Sequence, residues 1–550
     1  MALIEEPHLS LSRIPAAIAG LHILSVGYLS LIAIRTIHRS KLALPPSTST
    51  RHRELLRQSH VFIFSLLAFG SLTTAFLQAT AFNTLSYSTW ADERGVGLPT
   101  SFFGDEGILR GGHPSRLHLI RWLSDTPIYR DALEVVAENA RFYWWGQQIN
   151  LGLVSWSLFL AIEGQRRKIS NLGVFLTLSQ LVNLSYAQNL FFVAVLLTPV
   201  PLPDNVKEIT QDSIGMSSSK HVDMYSCTRY AANDTRFSKL KSKLTVSKPE
   251  GFVPNTSFYM TLLLLNYTTI FLIPFASNTP SFPTISVISR TLPFAFLALP
   301  SVIPTSWGSN STNPHTSHSS YVTLFRTVST LSALLQLKTT TLAIFFNLPE
   351  THSYRPMIID SFQSEDHSSF DRYSTAVTRL LGAVLEHPAI GAVWWDVILT
   401  GASLGLWAAF RCLDIQDMLS ASVPFTEVVE KEIQEVEDAA SEIKEDIMSP
   451  PQSTRGRGRG RGRPRMTDTP ETNSTIASAT PTLKRRGGPP KNISANKDSS
   501  YQPTKSSPFP EGDKDVEEDW DSAALTWGGL AVGGLGVAGA GVYGAEVRAR

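Results

Sequence analysis

The chain has 550 residues, a formal net charge of +1 and a mean hydropathy of 0.00. Balanced charge excludes a protein held to nucleic acid by its overall field, so any such contact must be local. Two cysteines, Cys227 and Cys412, exclude a disulfide framework and a cysteine-based metal site. The histidines are scattered without carboxylates at ligand spacing, so neither a metal nor a cofactor is expected.

The average hydropathy hides two unlike parts. Residues 1–412 alternate long apolar runs with loops, and repeated runs of roughly 20 apolar residues predict a multi-pass, all-α transmembrane bundle. The spans fall near 14–34, 61–82, 142–162, 172–197, 258–276, 285–303, 321–346 and 389–410. Arg35, Arg39, Lys41, Arg51, Arg53 and Arg57 follow the first span, and Arg166, Arg167 and Lys168 follow the third. Basic residues favour the cytosolic side. Both clusters therefore place the N-terminus outside or in a lumen, in a plasma or endomembrane. The polar loop 83–141 is expected to carry two short helices, near 117–122 and 129–140.

The fourth span is unusually polar, with Ser179, Gln180, Asn183, Ser185, Gln188 and Asn189. Such side chains hydrogen-bond across helices or line a wet cavity. The loop 199–254 reads as outer. It holds the sequons at Asn233 and Asn255, candidate glycosylation sites, and its stretch 215–248 lacks any periodicity. Prolines 274, 293, 300 and 304 predict kinks around the fifth and sixth spans. The seventh span contains Arg326 and Lys338, and the loop 347–386 after it reads as inner.

The eighth span places one carboxylate, Asp396, beside Trp394 and Trp395 in the middle of an apolar run. An ionisable group at that depth is costly and marks a site. Lys338 lies at matching depth in the preceding span, so a Lys338–Asp396 ion pair is one expectation. The other is a ligand site formed by Asp396, Lys338, Trp394 and Trp395 with Asn183, Gln180, Gln188 and Asn189 of the fourth span. An intramembrane acid with tryptophans around it, Trp407 included, resembles the membrane-embedded terpene cyclases of fungal secondary metabolism. The resemblance implies a protonated Asp396 as general acid and tryptophans that stabilise a carbocation. No catalytic residue is otherwise assigned, and soluble-enzyme signatures such as the P-loop, GxSxG and HExxH are absent from the sequence.

Beyond the spans the composition changes. Residues 413–449 read as an acidic amphipathic helix, with a heptad seam of Val429, Ile433, Val436, Ala440, Ile443 and Ile447 that suits a partner helix within 425–448 as a short coiled coil. Residues 450–525 are low-complexity and expected to be disordered. Their Arg-Gly run, 455–465, contains an AT-hook-like Gly462-Arg463-Pro464, but an anionic lipid or an acidic protein is the expected partner rather than nucleic acid. Residues 526–545 form a glycine-rich candidate span, with Gly529 and Gly533 spaced for close helix packing. Eight full crossings would leave the tail outside; a re-entrant segment within the proline-rich fifth or sixth span would move it to the cytosol. The functional expectation is a membrane protein that binds or moves a small or lipophilic molecule. The alternatives are the acid-catalysed enzyme and a scaffold that recruits partners through its tail.

Overall fold

The structure, a computed structural model, describes residues 13–44, 51–96, 117–198, 252–310, 318–349, 369–423 and 514–548. Residues 199–251, the acidic heptad segment 425–448 and the Arg-Gly run 455–465 lie outside the described residues. The described chain is almost wholly helical. Its elements are α1 (Ile14–Leu42), α2 (Arg51–Arg94), α3 (Leu119–Asp125), α4 (Ile128–Glu138), α5 (Ala140–Arg166), α6 (Leu172–Leu181), α7 (Leu184–Leu197), β1 (Phe252–Pro254), α8 (Thr256–Ala276), α9 (Phe282–Thr291), α10 (Pro293–Val302), β2 (Gly308–Asn310), α11 (His318–Asn347), α12 (Ser369–Gly382), α13 (Pro388–Phe410), α14 (Ile415–Ser422) and α15 (Lys514–Arg548). The two strands form one short antiparallel ladder, Phe252 opposite Asn310.

Six helical stretches are long and apolar enough to cross a membrane: Ile14–Leu42, Glu54–Arg94, Thr256–Ala276, Tyr321–Asn347, Pro388–Phe410 and Asp521–Arg548. α5 is the axis around which the others stand. It is buried along most of its length, and its apolar run is interrupted by the buried Gln147, Gln148, Ser155, Ser157 and Glu163. Polar residues survive in an apolar helix when other helices surround it, because each then finds a partner or a wet contact.

Contacts at matched heights fix the direction of each helix. α11 runs against α5, with Trp144 Nε1 donating to Thr340 Oγ1 (2.8 Å) and Gln147 Nε2 to Gln336 Oε1 (3.2 Å). α2 runs against α13: His60 stacks on Phe410 and Phe82 meets His387. α8 runs with α11, since Tyr267 bonds Val328 and Ser332 while Lys338 lies over Phe271 and Phe275. One end of the bundle therefore gathers the start of α5, α3, α4 and the start of α13. The opposite end, which we call the arginine end, gathers the last turns of α1, α5, α7 and α13.

The fourth apolar run is not a single span. α6 enters from the arginine end, stops at Leu181, and α7 returns to the same end. Phe175 of α6 faces Phe191 of α7 with ring centroids 5.7 Å apart, the pairing of an antiparallel hairpin. Arg167 at the last turn of α5 bonds the carbonyls of Val195 and Thr198 at the last turn of α7 (3.0 and 2.7 Å). At 1.5 Å per residue, α6 reaches roughly 15 Å inward, half of a hydrocarbon core. The chain breaks at Val182 and Asn183 because Asn183, in extended conformation, caps α7 by accepting from Tyr186 N.

The glycine-rich segment folds back as well. Gly534 has φ +72°, outside helical geometry. Gly529 lies so near Ala538 that a Cβ built on it would stand 3.5 Å from the Ala538 Cα, although nine residues of continuous helix would separate them by roughly 13 Å. Gly401 and Gly405 of α13 face Leu530 and Trp527 respectively, and Arg411 beyond α13 meets Glu546. Residues 521–533 thus descend from the arginine end and residues 535–548 return to it. The ninth candidate span, long and apolar enough by composition, is bent at Gly534 into a second helical hairpin, and its Gly529 packs against its own returning arm.

The proline-rich stretch behaves differently. α9 starts beside Tyr143, Ile273 and Ala276, and α10 carries the chain on to the arginine end, where β2 pairs with the strand that precedes α8. It is one bent passage, broken at Leu292–Pro293. α11 accordingly ends, and α12 packs, at the end opposite the arginines, while α7 ends and α8 begins at the arginine end.

Candidate functional site

The two hairpin tips meet at the centre of the bundle, against α5. A Cβ on Gly152 would lie 3.2 Å from Leu184 of the first tip and 3.0 Å from Leu535 of the second. Asp396 stands at the first tip, 4 % exposed. Its Oδ2 accepts from Leu184 N (3.0 Å) and its Oδ1 from Ser185 N (2.7 Å), with Thr400 Oγ1 at 3.4 Å. These are the first two N–H groups of α7, and Asn183 takes the third. A helix start otherwise leaves such donors orphaned, and its dipole favours a negative charge there. The carboxylate is therefore compensated by a helix N-terminus. Asn183 ties the same tip to α2 by donating to the Ser71 carbonyl (3.1 Å).

The Lys338–Asp396 pair does not form. Lys338 Nζ lies 3.8 Å from the centroid of the Phe271 ring and 4.7 Å from that of Phe275. The two residues do match in depth, nine residues from the end of α11 and eight from the start of α13. They differ in azimuth, Lys338 facing α8 and Asp396 facing α7. Trp394 and Trp395 pack edge-to-face on each other (4.7 Å) and are half-buried. Gln180 lies just before the tip, where its carbonyl accepts from Arg290 (3.5 Å).

Gln188 and Asn189 lie deeper in the hairpin, both 0 % exposed. Asn189 Nδ2 donates to Ser185 O (2.8 Å), but its Oδ1 has no partner among the described residues. Gln188 has none for either end of its amide. The neighbouring walls are aromatic: Phe192 stacks on Trp407 (4.2 Å), Phe191 meets Trp156 edge-on, and the indole N–H groups of Trp156 and Trp407 also lack acceptors. Burying an unbonded amide costs about 1–3 kcal/mol, so these four residues carry unmet hydrogen-bonding capacity inside the bundle. Sequence reasoning named Gln188 and Asn189 but missed the second polar set. There Gln147 bridges Gln336 and Thr339, and Gly534 turns against Gln336 and Gln148. The signal was the paired glutamines inside the third apolar run.

Outside the membrane runs, His387 caps α13 by accepting from Ala389 N at Nδ1 (3.1 Å), and burial holds its imidazole below the usual range. At the arginine end, Glu163, Arg166, Arg167, Arg411 and Glu546 form a largely buried charge cluster. The sequence marked Arg166, Arg167 and Lys168 only as a basic cluster favouring the cytosolic side. Of Arg166, Arg167 and Lys168, only Lys168 is exposed. Compared with protein-family models, curated proteins and solved structures, the chain matches none.

Proposed function

We propose that this is an integral membrane protein that binds and moves a small uncharged molecule carrying a hydrogen-bonding group, through the centre of its bundle. The observation that carries the reading is Gln188, fully buried with donor and acceptor both unmet. Two half-length hairpins that end at mid-bundle support it, since irregular backbone at membrane depth is tolerated where it is enclosed by protein or lines a wet path. Asp396 does not favour a cation, its charge being compensated by α7.

In this reading the chain crosses seven times, through α1, α2, α5, α8, the bent α9–α10 pair, α11 and α13, and the two hairpins enter from the arginine end. The excess of Arg and Lys puts that end in the cytosol. The N-terminus then lies outside or in a lumen. Asn255 then lies at the cytosolic end and its sequon is not used; a glycosidase-sensitive mass shift lost on Asn255→Gln would reverse the orientation.

The functional test is vesicle swelling with the purified full chain. Urea and glycerol are the probes, and Gln188→Leu is the variant. We expect one of these solutes to enter faster than in protein-free vesicles, and the variant to lose most of that gain. Rates equal to protein-free vesicles, or a variant equal to wild type, would overturn the proposal. The cyclase-like alternative needs Asp396 to give up a proton, whereas its oxygens accept from three donors. The scaffold alternative rests on the tail.

A further inference from the structure

The charge cluster at the arginine end is out of balance, and its surplus lies with the donors. Arg167 Nε bonds Glu163 Oε1, and Arg166 Nη2 lies 2.9 Å from Glu163 Oε2. Both guanidinium groups therefore sit on one carboxylate. Arg411 holds Glu546 with two hydrogen bonds, 2.9 and 3.1 Å, and Arg167 Nη2 lies 3.6 Å from Glu546 Oε1. Among the described residues, three guanidinium groups thus face two carboxylates, one positive charge in excess.

The donors left over are specific. Arg166 Nε and Nη1, Arg167 Nη2 and the Thr198 hydroxyl are all buried and lack hydrogen-bond partners among the described residues. The side chain of Arg167 is 3 % exposed and that of Arg166 is 9 %. Thr198 belongs to the same place, because its carbonyl accepts from Arg167 Nη1 at 2.7 Å. Glu163 Oε2 already lies beside Arg166 Nη2, so it is not an acceptor for the remaining donors. Buried guanidinium N–H groups are costly to leave unbonded, and their planar fork matches an oxyanion in two-point contact.

We infer that this cluster is a binding site for a phosphate-type oxyanion, held by Arg166, Arg167 and Thr198 where the returning arms of both hairpins end. It is independent of the solute site at the hairpin tips. The anion would balance the surplus charge and link α5 and α7 to α15 through Glu546. Free phosphate and a phospholipid headgroup present the same chemistry.

The test uses the full-length protein in phosphatidylcholine nanodiscs, with the thermal unfolding midpoint as readout. Inorganic phosphate should raise the midpoint saturably, and chloride at equal ionic strength should not. Arg166→Gln should weaken the apparent affinity at least tenfold, and Thr198→Val, which keeps every charge, several-fold. Lys168→Gln, at the exposed neighbour, should leave it unchanged. Should phosphatidic acid stabilise where free phosphate does not, with the same dependence on Arg166 and Thr198, the ligand is the headgroup. No saturable response to either probe would sink the proposal. So would chloride matching phosphate, or both site variants responding like wild type.

Discussion

The first hairpin, α6–α7, and the second, within α15, reach the same height on α5 by different chemistry. The first is closed by polar groups: Asp396 and Asn183 take the first three N–H groups of α7, and Asn183 also holds α2. The second is closed by small size. Gly534 supplies a left-handed turn, and glycines along both arms let backbone approach backbone and side chain, as Gly529 does Ala538 and Gly536 does Ser332. A chain reversal at membrane depth can thus be secured by satisfying its backbone donors or by close packing. The two routes should fail differently when mutated.

The largest effect is expected at Asp396. Asp396→Ala leaves the Leu184 and Ser185 N–H groups buried without acceptors, at about 1–3 kcal/mol each, a loss of about 2–6 kcal/mol in unfolding measurements on detergent-solubilised protein. Asp396→Asn keeps an acceptor and should lose clearly less. A near-neutral Asp396→Ala would end the view that polar capping secures the first hairpin. Gly536→Val comes next. Its Cβ would stand 2.2 Å from Ser332 Oγ and 3.0 Å from Leu151 Cβ, overpacking that costs about 1–3 kcal/mol. Tolerance without loss would show that the second hairpin is loosely held. The double variant with Asp396→Asn should deviate from additivity, since both tips pack on Gly152.

Smaller effects serve as controls outside both tips. His387→Ala should cost about 1 kcal/mol as a lost helix cap. With its folded pKa lowered by burial, His387 contributes stability that is complete above about pH 6.5, the ordinary imidazole value, and declines as pH falls through the folded value. His387→Asn keeps the cap and should flatten that acid-side decline, measured as unfolding midpoint against pH. Lys338→Met should be smallest, about 0.5–1 kcal/mol for the contact with two phenylalanine rings. A loss like that at Asp396 would mean Lys338 does more than cover those rings.

Several features were legible from residues alone. The apolar runs at α1, α2, α8, α11 and α13 are helices long and apolar enough to cross a membrane, because length and hydropathy are local properties. The short helices α3 and α4 in loop 83–141 were readable for the same reason. Asp396 stood out by its cost, and Gln188 and Asn189 by their company. What could not be read was direction. An apolar run of 26 residues looks the same whether it crosses or turns back at Asn183. The turn is held by a carboxylate more than 200 residues away, and no local signal encodes that partner.

The sequence by itself determined that the chain is helical and apolar enough for a membrane, and which polar groups would have to be buried. Tertiary structure decided where those groups point. Lys338 and Asp396 match in depth, which follows from residue counts, yet they face different neighbours, which depends on how each helix is rotated against the rest. It also decided that the acid meets a helix N-terminus rather than a cation, and that Arg166 and Arg167 fold inward while Lys168 stays in solvent. Depth along a helix is set by counting, and rotation about its axis by packing against every other helix.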